Sequence, residues 1–340
     1  MKLYVVDASR LPAAFLGTDW EIGAVALAPG KVHARRSDPR WEQGYVLATV
    51  GDTPVGFLST HRSRVPDLPD PDYALKAADE HLLLGGRHDL VAGAVVARGC
   101  ERGQAAEIRR QLVRAGVEHA AAHGLRAAAL YVRDDQAEAF RAGFPSSAEV
   151  RPVSRMSVLD IDFDTQEGYL ARLSGRKRSV VRRDWRDREA AGLRTEEVPA
   201  LDAIPAAAPL VTRLKRRYGI PDHERLAAFR LTEWASGTEA EFVAFLTRDA
   251  EGGLIAAGFG CRHGDTLEMY EVGLDDSSEH RRLGWAETLF YAPLRHALRR
   301  GCRRIQLGLE SEQAKIMRGA EASDVWHLIT TQENSAEAQQ

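Results

Sequence analysis

The sequence predicts an α/β protein made of two tandem domains of one fold, each a mixed, mostly antiparallel sheet flanked by helices. Three observations carry this. The chain has 340 residues, too many for one typical domain and enough for two that each bury a core. The order of elements recurs, as hairpin, strand, helix, strand and helix. One stretch, "HAAAHGLRAAALYV" (119–132), also aligns without a gap with "HALRRGCRRIQLGL" (296–309), a constant offset of 177 relating His119 to His296, Gly124 to Gly301 and Arg126 to Arg303.

The elements follow in order. "GYVLATVGDTPVGFLSTHR" (44–62) reads as a hairpin, because alternating apolar residues flank the Gly51-Asp52 punctuation. "EFVAFLTRDAEGGLIAAGFGCRHG" (241–264) repeats it around residues 249–253. An apolar strand follows each, "HDLVAGAVVA" (88–97) or "TLEMYEVGL" (266–274), and then a long helix. Each helix is weakened at one place, by Gly116 or by Pro293 at the same offset, since both residues disfavour a helix interior. Each ends on a glycine, which accepts the left-handed conformation after a last turn, and a buried strand comes next. A tandem duplication accounts for this. The expected boundary is near Asp164, giving domains at 1–163 and 164–330 and a polar tail at 331–340 that frays.

With 44% hydrophobic and 28% charged residues, the chain is an ordinary globular protein. No apolar run reaches membrane-spanning length, and "MKLYVVDASRLPAAF" lacks the apolar core of a signal peptide, so a cytoplasmic protein is expected. Cys100, Cys261 and Cys302 are far apart and outside metal-ligand spacing, so neither a disulfide framework nor a metal site is expected. A net charge of −3 argues against a surface built wholly for nucleic acid. Only six lysines occur, so a lysine in a telling place carries weight.

A hairpin, a strand, then Arg-x-x-Gly-x-Ala opening a helix in "HRRLGWAETLFY" (280–291) resembles the GNAT acyltransferase superfamily. The resemblance implies that Arg281, Arg282, Leu283, Gly284, Trp285 and Ala286 hold the pyrophosphate of coenzyme A. A first helical turn supplies unpaired amides and a positive dipole end, and glycine admits close approach. "LSGRKRSVVRRDWRDREAAGLRTEEV" (173–198) and "LGLESEQAKIMRGAE" (307–321) resemble the basic helix and the Lys-x-x-x-Gly segment of the tandem, Fem-like branch. Subtracting 177 from the loop lands on Gln104, Glu107 and Arg109. A glutamate at the close-approach position repels a pyrophosphate, so one donor site, in the second half, is expected.

The resemblance implies acyl transfer to a primary amine within a ternary complex, from acyl-CoA, or alternatively from aminoacyl-tRNA to a cell-wall precursor or specialised metabolite; a catalytically inactive binding module is the third reading. No permanently bound cofactor is implied. The base would be a carboxylate on the central strand, Glu271 rather than Glu268, because the two point to opposite faces of a regular strand. The neighbouring amides of Val272 and Gly273 would receive the donor carbonyl. Lys315 would stabilise negative charge, with Glu310 or else Glu312 orienting it or the amine. Arg178, Arg182 and Arg186, four apart, form an arginine ridge with Arg176 and Arg183 close by, suited to phosphates of coenzyme A or tRNA, or else neutralised by Asp184, Asp187 and Glu189.

Overall fold

The computed structural model describes residues 1–66, 75, 78–87 and 90–331. The chain divides into two compact units, Met1–Ser154 with the chain from Asp324 onward, and Arg155–Ser323. The sheets are mixed and mostly antiparallel, with helices against them, as the sequence predicts.

The first unit contains β1 (Lys2–Asp7), β2 (Trp41–Val50), β3 (Thr53–Ser63), β4 (His81–Leu84), α1 (Arg102–Ala122), β5 (Arg126–Arg133) and α2 (Asp134–Gly143). Its strands lie side by side in that order, and residues 325–329 of the last strand, Glu321–Ile329, pair with β5. Among the described strands of this unit, only β4 and β5 run parallel. The β2–β3 hairpin turns at Gly51, whose φ of 59° suits a residue without Cβ. Helices α1 and α2 cover one face, where Ile108, Leu112 and Phe140 meet Val46, Leu58 and Leu84. The expected strand at 88–97 is reduced to Val95–Ala97; residues 88 and 89 lie outside the described residues. The strand pairing in parallel with β5 is the earlier one, β4.

The strand β6 (Glu149–Asp160) leads into the second unit, where its residues 158–160 pair with 304–306. Asp164 therefore falls inside this unit rather than at its border. The unit continues with α3 (Gly175–Ala190), β7 (Arg194–Pro199), α4 (Ala200–Arg217), α5 (Glu224–Trp234), β8 (Glu241–Arg248), β9 (Leu254–His263), β10 (Thr266–Leu274), α6 (Arg281–Ala286), α7 (Ala292–Arg299), β11 (Arg304–Gln306) and α8 (Glu312–Ile316). The sheet order is β6, β11, β10, β9, β8, β7. One face buries Val181, Phe245, Leu267, Met269 and Phe290 beneath α3 and the run from α6 to α7; α4 and α5 lie on the other. Of the tail expected at 331–340, residues 332–340 lie outside the described residues.

The repeat is visible in the backbone. Gly124 and Gly301 close their helices at φ 66° and 67°, and Tyr131 and Gly308, also 177 apart, both take a positive φ, 61° and 74°. Between α6 and α7 lies a π turn, Glu287–Tyr291, just before Pro293, which has no N–H for the helical ladder. Such a turn inserts one residue, so upstream of it the offset becomes 176 and Gly284 corresponds to Ile108, not Glu107. Packing agrees: Ile108 lies against Gly56 of β3 and Gly284 against Ile255 and Ala256 of β9.

Candidate active site

Strands β10 and β11 run parallel through Thr266/Arg304, Leu267/Ile305 and Glu268/Gln306 and then part. Beyond Gln306 the chain stays on β6, with Leu307 N donating to Ser157 O at 2.8 Å and Ser157 N to Gly308 O at 3.1 Å. β10 meanwhile continues along β9 to Leu274. The two walls, 269–274 and 307–310, enclose a wedge-shaped opening. In the first unit the corresponding wedge is closed, because Ala92 N donates to Tyr131 O at 3.3 Å and Ala92 bridges Val132.

The far wall is strained and clamped. Gly308, Glu310 and Ser311 have φ of 74°, 60° and 50°, conformations that cost a residue with a Cβ. Lys315 holds them: it is 1% exposed, and its Nζ donates to Gly308 O at 3.0 Å and Leu309 O at 2.6 Å. The ammonium thus supports a wall rather than reaching into the wedge, while Glu310 stands exposed at the turn. Burial pulls the Lys315 ammonium down to about 8 from 10.5. Between those values the unfolded chain binds more protons than the native one, so stability rises with pH. The gain is complete above 10.5 and lost as pH falls through about 8, up to about 3 kcal/mol. Urea midpoints across that window should climb in the wild type and stay flat in Lys315→Met.

On the near wall, register shifts between Gly258 and Gly260, leaving Tyr270 and Glu271 both opposite Phe259. This bulge corrects the expectation of opposite faces for Glu268 and Glu271. A bulge adds one residue and so breaks the two-residue alternation. Tyr270 stacks on Trp234 at 4.6 Å and Glu271 Oε1 lies 3.4 Å from Arg230 Nη2, both on α5, and Glu268 shares that face through its partner Cys261. Glu271 Oε1 is also 2.8 Å from Lys215 Nζ, whereas Oε2 is buried without a partner. Arg230 is in turn held in a two-pronged pair by Asp222, at 2.9 and 3.1 Å. Glu268 is buried, with Oε2 3.2 Å from His263 Nε2. Arg230 and Asp222 escaped sequence reasoning, since nothing in their spacing marks them.

The two amides next to Glu271 differ. Asp275 N donates to Ile255 O at 2.8 Å, and antiparallel ladders alternate. Gly273 therefore turns its amide to Ala257, and Val272 turns its amide to the opposite edge, the wedge. Gly273 is glycine for another reason: a Cβ there would sit 2.7 Å from Val211 N and 2.9 Å from Leu210 C of α4.

The stretch read as a pyrophosphate loop is the first turn of α6. Gly284 N already donates to His280 O at 2.9 Å, and a Cβ on Gly284 would lie 3.1 Å from that of Ala256. The glycine serves helix-to-sheet packing. Leu283 and Trp285 are half-buried and Ala286 is buried. The amides of Arg282 and Leu283 have no helical acceptor, as in any first turn. Both arginines are committed, Arg281 to Asp276 at 2.6 Å and Arg282 to Asp184 at 3.3 Å and Asp187 at 3.8 Å. Beside the turn is a cleft of about 500 Å³ lined by Asp249, Glu251, Asp275, Glu279, Ser277 and His280.

The arginine ridge divides in two. Arg178 is structural, its Nε and Nη2 each donating at 2.9 Å to Leu170 O and Leu173 O at the end of the short helix Gln166–Arg172. Arg176, Arg182, Arg183 and Arg186 are exposed and carry no ion pair among the described residues. The inner face of α3 instead buries Asp184, which accepts from Tyr291 Oη at 2.7 Å and from Arg318. Arg318 Nε donates to Tyr291 Oη at 3.1 Å, and Tyr169 Oη donates to Arg318 O at 2.6 Å. Tyr291 belongs to this network. A carboxylate inside the apolar stripe of Val181 and Trp185 was its one visible sign.

Residues 175–315 match the model of the acetyltransferase (GNAT) domain family, the span from α3 into α8, so the second unit carries a GNAT acetyltransferase domain. No curated protein matches the sequence. Among solved structures the fold is similar to that of FemX (TM-score 0.59, 11% identity, 96% of this chain and 97% of that one). It is also similar to L-PGS from Bacillus licheniformis (0.55, 8%, 91% and 93%). A tandem GNAT protein from the clavulanic acid biosynthesis pathway matches as well (0.51, 17%, 97% and 98%). The chain thus has the tandem, Fem-like GNAT fold.

Proposed function

We propose, from a second unit that is a GNAT acetyltransferase domain, that the protein transfers an acyl group directly to a primary amine of a small molecule or peptide. The observation that carries this is the open wedge between β10 and β11 with Glu271 on its near wall. As the amine nitrogen bonds the donor carbonyl carbon, the unpartnered Glu271 Oε2 takes the amine's proton and the Val272 amide polarises the carbonyl. The bond to the donor's thiol or ribose oxygen then breaks and that leaving group takes the proton back from Glu271, while Lys315 keeps the far wall in place. No covalent enzyme intermediate is needed, because amine and donor carbonyl meet in the wedge. Acyl-CoA is the donor on this reading, its phosphates meeting the first-turn amides of Arg282 and Leu283.

One observation favours aminoacyl-tRNA instead. Arg281 and Arg282 are neutralised beside a carboxylate-lined cleft, while Arg176, Arg182 and Arg183 remain exposed and unpaired for a phosphate backbone. Isothermal titration with coenzyme A, acetyl-CoA and deacylated tRNA separates the donors. Micromolar binding, about 8 kcal/mol, is expected for coenzyme A. Salt-sensitive binding of tRNA alone, lost in Arg182→Ala/Arg183→Ala, would move the donor to aminoacyl-tRNA, and binding of neither would refute both.

A further inference from the structure

The first unit buries polar groups that the reading of the second does not use. Trp41, Gln43 and Tyr45 of β2 stand opposite Ser63, His61 and Ser59 of β3, so all six share one face, and every one is at least nine-tenths buried. Gln43 Nε2 donates to Val32 O and to Tyr45 Oη, both at 2.7 Å. Val32 O is an acceptor, so the amide orientation is determined and Oε1 is left over. His61 Nε2 lies 3.2 Å from Ser59 Oγ. Arg87 covers the Trp41 ring at 4.8 Å and donates through Nη1 to Asp38 at 3.2 Å.

Three buried atoms then remain without a partner: Gln43 Oε1, His61 Nδ1 and Arg87 Nε, in side chains 6%, 1% and 5% exposed. Each is costly to leave unmade. Gln43 and His61 are directly opposed on adjacent strands, and Arg87 is near enough to His61 that its charge, with that of Arg35, acts on the ring. Arg87 lies over Trp41, whose side chain shares the face of the β2–β3 hairpin that carries Gln43 and His61.

Their chemistry is specific. Arg87 Nε is a cationic donor that suits a carboxylate. Gln43 Oε1 accepts only, so the same molecule must bring a donor beside its carboxylate. An ammonium would face the Arg87 guanidinium, whereas a hydroxyl carries no charge into that field. The neutral His61 imidazole, donor or acceptor by tautomer, serves either oxygen.

We propose that the first unit holds a binding site for a short hydroxycarboxylate, gripped by Arg87 at the carboxylate and by Gln43 at the hydroxyl, with His61 between them. The proposal is independent of the acyl-transfer reading. Isothermal titration of the full chain with lactate, propionate and alanine tests it. Lactate should bind saturably, and propionate, which leaves Gln43 Oε1 unpaired, and alanine, which brings an ammonium, should bind about tenfold more weakly or worse. Arg87→Met should abolish lactate binding, and Arg87→Lys, which keeps charge and fold but loses the fixed Nε donor, should weaken it about tenfold. Arg225→Ala, at an exposed position in the other unit, should leave lactate binding unchanged. Absence of lactate binding would mean that the three atoms hold water only and would overturn the proposal, as would equal affinity for propionate or binding undiminished in both Arg87 variants.

Discussion

Replacing Asp184 with alanine is expected to destabilise the second unit by about 3–5 kcal/mol, the usual consequence of leaving one buried charge of a pair alone. Asp184 is 1% exposed and Arg318 4%, and the pair is completed by Tyr291 and Arg282. These residues come from α3, the α6-to-π-turn run and the turn after α8, so the network ties three stretches distant in sequence. Asp184→Asn should lose less, since the amide still accepts from Tyr291. The double variant Asp184→Ala/Arg318→Met should recover part of the loss, because two absent charges cost less than one unpaired. Arg182→Ala, two residues away on the exposed face of the same helix, should stay within about 0.5 kcal/mol. Urea midpoints decide it: an Asp184→Ala loss no larger than that of Arg182→Ala would show that the pair contributes little.

The sequence revealed most where local physics acts alone. Gly124 and Gly301 announced their helix ends because few other residues sit comfortably at φ near 65°, and the hairpins showed in their alternation and turn residues. The kink shared by Tyr131 and Gly308 stayed hidden, since a tyrosine does not advertise a positive φ. Glu268 and Glu271 were assigned to opposite faces because strand alternation ignores bulges, which leave no reliable composition signal. The roles of Gly273 and Gly284 were misread for a related reason. A glycine tells that something comes close, and here that something is α4 in one case and β9 in the other, not a ligand. Arg178, counted with the ridge, caps a helix whose end lies five to eight residues away. Pairs such as Asp222–Arg230–Glu271 depend on tertiary approach, and charge patterning along one element cannot disclose them.

Replacing Glu271 with glutamine is expected to lower kcat for acyl transfer by about 10²–10⁴-fold, the contribution of a positioned general base. The change keeps size and most of the packing, so KM should move little. The clamp around the carboxylate predicts a second signature. Lys215 and Arg230 both engage Oε1 and leave Oε2 for the amine. Arg230→Met frees the carboxylate to rotate and strands Asp222, so it should cut kcat less than Glu271→Gln. Arg230→Lys should restore part of that loss, because an ammonium keeps one contact to Oε1 while giving up the two-pronged grip of Asp222. Single-turnover rates with the donor identified by titration would separate chemistry from binding. If Glu271→Gln transfers at the wild-type rate while Glu268→Gln does not, the base is the carboxylate paired with His263 at the last rung before the strands part. The bulge allows this exchange of roles, because it brings both carboxylates to the face of the sheet beneath α4 and α5.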